Sequence, residues 1–103
     1  MRQAQRRAGR KRRRARWLSY AKNMLRDYPD LTHGELLAVE SALWQTAGKL
    51  SGEQRLKLIR LVYFEKSHTL TGAALAIPCS YECAKRWSRD FLRLCAAQRG
   101  LFS

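Results

Sequence analysis

The stretch TLTGAALAIPCSYECAKRW, residues 69–87, decides how this chain reads. Ser67, His68 and Thr69 interrupt the apolar pattern before it, and Thr69 stands where it can cap a short helix, LTGAALAI. Pro78-Cys79-Ser80 reads as a turn. Ser80 then caps a long last helix that ends near Gly100, a residue suited to the left-handed position after a helix. Ala73 and Ala74 keep the contact small where the two helices must approach. A short helix, a tight turn and a longer helix are the outline of a helix-turn-helix.

The last helix separates its charges from its apolar groups. At about 100° per residue, with Lys85 at zero, Arg89, Arg93 and Arg86 fall within about 100° of arc. Ala84, Trp87, Phe91, Leu94 and Cys95 fall between about 180° and 280° on the same count. One side is suited to docking on a domain and the other to phosphates and base edges.

Working outward, the rest of the chain is also helical in pattern, with no strand alternation and no internal repeat. Trp17, Ala21, Met24 and Tyr28 recur at helical spacing, and Pro29 makes Tyr28 a boundary. Thr32 and Glu35 form a capping-box pattern ahead of an apolar stripe of Leu36, Val39, Leu43, Ala47 and Leu50. A second box, Ser51 with Gln54, opens a helix in which Leu58, Ile59, Val62 and Tyr63 share a face, thickened by Leu56, Leu61 and Phe64. The expected fold is all-α: a small helical domain with a C-terminal helix-turn-helix and a basic, disordered N-terminal arm. Its parts are the arm at 1–16, helices for packing or self-association at 17–50, and the helix-turn-helix unit at 51–103.

Charge points to the partner. The 103 residues carry a formal net charge of +13, and residues 1–16 hold nine of the 21 basic side chains and no acid. A polycationic arm before a mildly basic domain implies a polyanionic partner. Arg10, Lys11, Arg12, Arg13, Arg14 and Arg16 are its phosphate-binding candidates. Phosphate contacts of this kind give affinity and salt dependence without sequence information. No run reaches the roughly 18 apolar residues of a membrane span, and the basic start is not followed by the apolar run of a signal peptide. The expectation is a protein of a reducing cytoplasm, since three cysteines form no disulfide framework.

Other chemistry finds little support. Cys79 and Cys83 lack a second ligand pair, and His33 and His68 lie elsewhere, so no metal or other cofactor is expected. Small-residue core packing is the ordinary role for Cys79 and Cys95. There is no nucleophile–base pairing, no Gly-rich phosphate loop and no evident carboxylate pair, which argues against an enzyme, and no small-molecule ligand is evident. Glu82 either accepts from a cytosine amino group or pairs with Arg86, the commoner arrangement. Trp44 belongs either to the core or to a self-association face.

The 69–87 stretch resembles the sigma-factor region-4 type of helix-turn-helix without insertion or deletion. More narrowly, the chain resembles small phage transcription regulators of the RinA/ArpU kind. The features are Tyr28-Pro29 after a basic helix, Tyr63-Phe64 closing the middle helix, and Ser80 followed by Arg86-Trp87 in the last one. The likeness covers Leu50 to Phe102 well, residues 17–49 loosely and the arm not at all. It implies a core of Leu70, Ala73, Ala74, Ile77, Cys79, Ala84 and Trp87. It also implies a DNA-facing set of Tyr81, Glu82, Lys85, Arg86 and Arg89, to which the charge separation adds Arg93. Two positions depart from the pattern. Pro78 stands where a residue tolerant of positive φ is usual, so the turn is expected to be built differently. Cys83 stands where Thr is commoner, removing a hydroxyl.

The expected function is sequence-specific regulation of transcription by a phage- or prophage-encoded, non-enzymatic protein in a bacterial cytoplasm. Its partners would be duplex DNA, with RNA polymerase and a second copy of the chain as further candidates, and no membrane. One alternative is an antiterminator, because QRRAGRKRRRARW resembles Arg-rich RNA-binding helices that end in a stacking Trp. Another is a DNA-packaging protein like the small subunit of a terminase.

Overall fold

The computed structural model describes residues 16–100. Among them the architecture is all-helical and contains no strand. The helices are α1 (residues 16–27), α2 (His33–Ala47), α3 (Gly52–Ile59), α4 (Leu70–Ala76) and α5 (Tyr81–Gln98). α3 runs on into one π-helical turn, Arg60–Phe64, closed by the Glu65 N–H donating to the Arg60 carbonyl at 2.7 Å. No helix of the described residues is long and apolar enough to cross a membrane.

Capping chemistry sets most of the boundaries. Thr32 Oγ1 accepts from the Glu35 N–H at 3.2 Å, and Glu35 Oε1 accepts from the Thr32 N–H at 3.2 Å, completing the expected box. The other oxygen of Glu35 accepts from the Tyr20 hydroxyl at 3.1 Å, so the carboxylate that starts α2 also ties it to α1. Thr69 caps α4 through the Gly72 N–H, and Ser80 caps α5 through the Cys83 N–H. Gly100 follows the end of α5 at φ 75, as its position suggests.

Two local expectations are corrected. Ser51 sits in the left-handed region at φ 60 and makes no side-chain cap, because that backbone turns its hydroxyl away from the first turn of α3. The close approach there falls instead to Gly52. A Cβ at Gly52 would lie 2.4 Å from the Ala47 carbonyl oxygen, so the end of α2 leaves room only for hydrogen. On α2 the buried line is Ala38, Val39, Ala42 and Thr46, so of the expected stripe only Val39 is fully buried. Leu36 and Leu43 flank it, while Ala47 and Leu50 are exposed. Leu50 falls after the helix has ended.

The core is built in two clusters that α5 joins. One holds Met24 and Leu25 of α1, Val39 and Ala42 of α2, Ile59 of α3, and Phe91, Leu92 and Cys95 of α5. The other holds Leu58 and Leu61, Ala73, Ala74 and Ile77 around α4, and Ala84 and Trp87 of α5. Leu70, Cys79 and Cys83 pack against the second cluster, so the expected inner positions of residues 69–87 are inward. Trp44 belongs to neither cluster; it is 81% exposed.

The turn between α4 and α5 is not rerouted around its proline, which corrects the expectation. The Cys79 N–H donates to the Ala74 carbonyl at 3.1 Å, the six-to-one closure of a Schellman end. That closure needs a left-handed residue after the Ile77 cap, and Pro78 there has φ 24. The ring disfavours this backbone and supplies no N–H for the second Schellman bond.

Acid stability has one identifiable contributor. The Thr32 backbone N–H, then its hydroxyl, holds the Glu35 carboxyl below its ordinary value of 4.5, with Tyr20 and the Arg99 charge adding to the effect. A group depressed on folding stabilises fully above its unfolded value and loses that contribution as pH falls through its folded value. Glu35→Gln keeps an acceptor for the cap. It should flatten the fall in thermal midpoint below about pH 4.5 while changing little at pH 7.

Candidate nucleic-acid interface

α5 is exposed along the side opposite its two clusters. Tyr81, Glu82, Lys85, Arg86, Arg89 and Arg93 all lie on this outer side, with Tyr81 47% exposed. The separation of charge from apolar groups expected from the helical phase is therefore the arrangement found. Asp90 has its own partner: Arg55 Nη1 of α3 pairs with Asp90 Oδ2 at 3.2 Å. The same guanidinium lies 5.6 Å from the Trp87 ring centroid, and its Nε donates to the Leu50 carbonyl at 3.0 Å. Glu82 forms no ion pair with Arg86, correcting that expectation; among the described residues the other pair joins Arg60 to Glu65. Four cations thus share the outer side of α5 with a single uncommitted carboxylate.

Such crowding carries a cost that Trp17 offsets. Lys85, Arg89 and Arg93 follow at intervals of four, and each like-charge pair at that spacing costs about 0.2–0.5 kcal/mol. The guanidiniums of Arg89 and Arg93 each lie 5.7 Å from the Trp17 ring centroid. Exposed cation–π contacts contribute about 0.5–1 kcal/mol apiece, so attraction exceeds the helix repulsion modestly. Trp17 also packs against the first core cluster, which fixes the ring beneath the two arginines.

This contact locates the root of the basic arm. Arg16 is exposed at the start of α1, directly before Trp17. The chain therefore enters the domain beside the cationic side of α5. Arg10, Lys11, Arg12, Arg13 and Arg14 lie outside the described residues. Helical spacing places Trp17 only on the apolar stripe of α1, and the Arg-rich pattern only at the end of an RNA-binding helix. Its partners are far along the chain, and no periodicity within α1 signals them.

Between α1 and α5 lies a groove of about 430 Å³. Lys22 joins Lys85 and Arg89 in its lining, a cation that the phase of α5 alone does not reveal. Tyr63 and Ser88, whose hydroxyls are hydrogen-bonded to each other, also line it. Burial raises the Tyr63 hydroxyl above its ordinary 10.0, so it is neutral at pH 7.

The cysteines take packing positions. Cys95 is fully buried in the first cluster, and burial pushes its thiol to about 12. Cys79 is raised by partial burial and then by Cys83 beside it, and all three thiols are free. Among the described residues no three of His, Cys, Asp and Glu come together as a metal-ligand set. The Cys83 side chain packs against the second cluster.

Comparisons with protein-family models, curated proteins and solved structures found no match. The interface therefore rests on this chain's own geometry.

The exposed arginines of α5 should be dispensable for folding. Arg86→Gln, at an exposed position that makes no ion pair or cation–π contact among the described residues, is expected to change stability by less than about 0.5 kcal/mol in a urea titration. Arg55→Ala should cost more. It leaves Asp90 without its pair and uncovers Trp87 at a site only 15% exposed.

Proposed function

We propose that this chain is a non-enzymatic, DNA-binding regulator of transcription of the phage type. In this reading α4, the Pro78 turn and α5 act as a helix-turn-helix of the sigma region-4 kind, and α5 enters the major groove. Lys85, Arg86 and Arg89 meet bases or flanking phosphates, Tyr81 touches the groove edge, and Glu82 is free to accept from a cytosine amino group. Arg93 and the arm, Arg10 to Arg16, continue along the neighbouring backbone.

The observation that carries the reading is the contact of Trp17 with Arg89 and Arg93. It brings the arm's point of attachment to the cationic side of α5, so both can follow one phosphate track. It also argues against the antiterminator reading. A Trp that ends an RNA-binding helix must offer its ring to a base, whereas this ring is engaged by two guanidiniums and the core.

A DNA-packaging role is the second reading, and one observation favours it. Leu37 and Trp44 lie seven residues apart on one side of α2, and both are exposed, at 50% and 81%. An apolar pair of this kind suits self-association. Light scattering separates the two readings, because a monomer or dimer at micromolar concentration excludes a ring.

Quantitative binding to duplex DNA across a salt series tests the leading reading. Deleting residues 1–16 should reduce the slope of log affinity on log salt by about 0.9 for each phosphate that the arm neutralises, leaving site preference intact. Combining Lys85→Ala with Arg89→Ala should abolish that preference. If the double variant still selects the same site, α5 is not the reader.

A further inference from the structure

The groove between α1 and α5 has a chemistry that α5 alone does not explain. We infer that it is a site for a single nucleotide, a phosphate ester bearing a heterocyclic base. The phosphate would lie among Lys22, Lys85 and Arg89, and the base would lie against Tyr81 and the apolar wall. This deepens the DNA-binding reading and takes its ligand class from it.

The lining supports the assignment in three respects. First, its ionisable side chains of definite charge are all cationic: Lys22 comes from α1, and Lys85 and Arg89 come from α5. The groove between α2 and α3 differs in this respect, since it sets Glu53 beside Lys57 and Arg60. Second, the remaining surface is largely apolar, with leucines from α1, α4 and α5 and the rings of Tyr63 and Tyr81. A bare inorganic anion has no use for such a wall, whereas a base does. Third, the volume of about 430 Å³ lies within the range of about 300–1,000 Å³ usual for small-molecule sites.

The hydroxyls of Tyr63 and Ser88 add a neutral polar pair to this lining. Ser88 is buried, so its position is fixed by the packing of α5. The pair can donate to or accept from a base edge without bringing a charge into the groove. The chain's own basic arm is an unsuitable occupant, because three cations would repel it.

Two sources would present this chemistry: a free nucleotide, or a nucleotide unstacked from bound DNA. The test uses the full chain and three probes: deoxyadenosine monophosphate, deoxyadenosine and inorganic phosphate. Titrations are followed by calorimetry and by amide shifts of α1 and α5. The monophosphate should bind more tightly than either fragment. Lys22→Gln should weaken it about tenfold, since one charge-assisted hydrogen bond is removed, and Lys22→Arg should restore it. Lys57→Gln, which removes one charge from the other groove, should leave it unchanged. Equal binding of monophosphate and phosphate, or equal effects of Lys22→Gln and Lys57→Gln, would overturn the assignment.

A duplex with one unpaired nucleotide, compared with its fully paired counterpart, identifies the source. Preference for the unpaired duplex that Lys22→Gln abolishes assigns the site to a DNA strand. Monophosphate binding without that preference assigns it to a free nucleotide. If the monophosphate binds as expected while paired duplex does not bind at all, the regulator reading fails and the nucleotide site stands.

Discussion

The buried side of α5 is the constraint on which the other elements depend. Ala84 and Trp87 complete the cluster around α4, while Phe91, Leu92 and Cys95 complete the cluster around α1 and α2. Full burial of a side chain such as Phe91 or Leu92 contributes about 1.5–3 kcal/mol, so a few positions on one helix account for much of what holds the domain together. The docking also fixes which side of α5 remains outside. A helix committed to two cores cannot roll, and its exposed cations keep one orientation relative to α1 and to the root of the arm.

Electrostatics then shapes the surface within that frame. Arg55 pairs with Asp90, so that carboxylate is offset by a cation of α3 rather than by the cations of α5. The Trp17 ring lies against both Arg89 and Arg93, 5.7 Å from each guanidinium. An aromatic ring attracts a guanidinium without neutralising it, so the positive potential of the face survives. A carboxylate in the same place would have stabilised the helix and weakened the attraction for phosphate. The same frame brings Lys22 alongside Lys85 and Arg89, which gives the groove its all-cationic character.

Much of the local structure could be read from short-range chemistry. Thr32 with Glu35, Thr69 and Ser80 marked their helix starts, and Gly100 marked the end of α5, because each acts through neighbours within a few residues. The α5 phase was legible for the same reason, since an 18-residue helix spans enough turns to average its pattern. Ser51 misled because its hydroxyl type suits a cap while its backbone is left-handed, away from the extended conformation that a cap uses. The leucines of α2 misled because the buried line runs through Ala38, Val39, Ala42 and Thr46, with Leu36 and Leu43 only half-buried beside it. At Pro78 the Schellman closure imposed the left-handed backbone that the residue itself disfavours.

The sequence by itself determined the all-helical class, the main helix limits and the separation of cations from apolar groups on α5. These follow from propensity, capping and a period of 3.6 residues, all local properties of the chain. Only the tertiary structure decided that Trp17 lies under Arg89 and Arg93, that Asp90 belongs to Arg55, and that Lys22 shares a groove with α5. These contacts join α1 or α3 to α5 across long stretches of chain. They exist because burying two clusters against one helix leaves its neighbours a single arrangement, and no local pattern encodes which distant side chains that arrangement brings together.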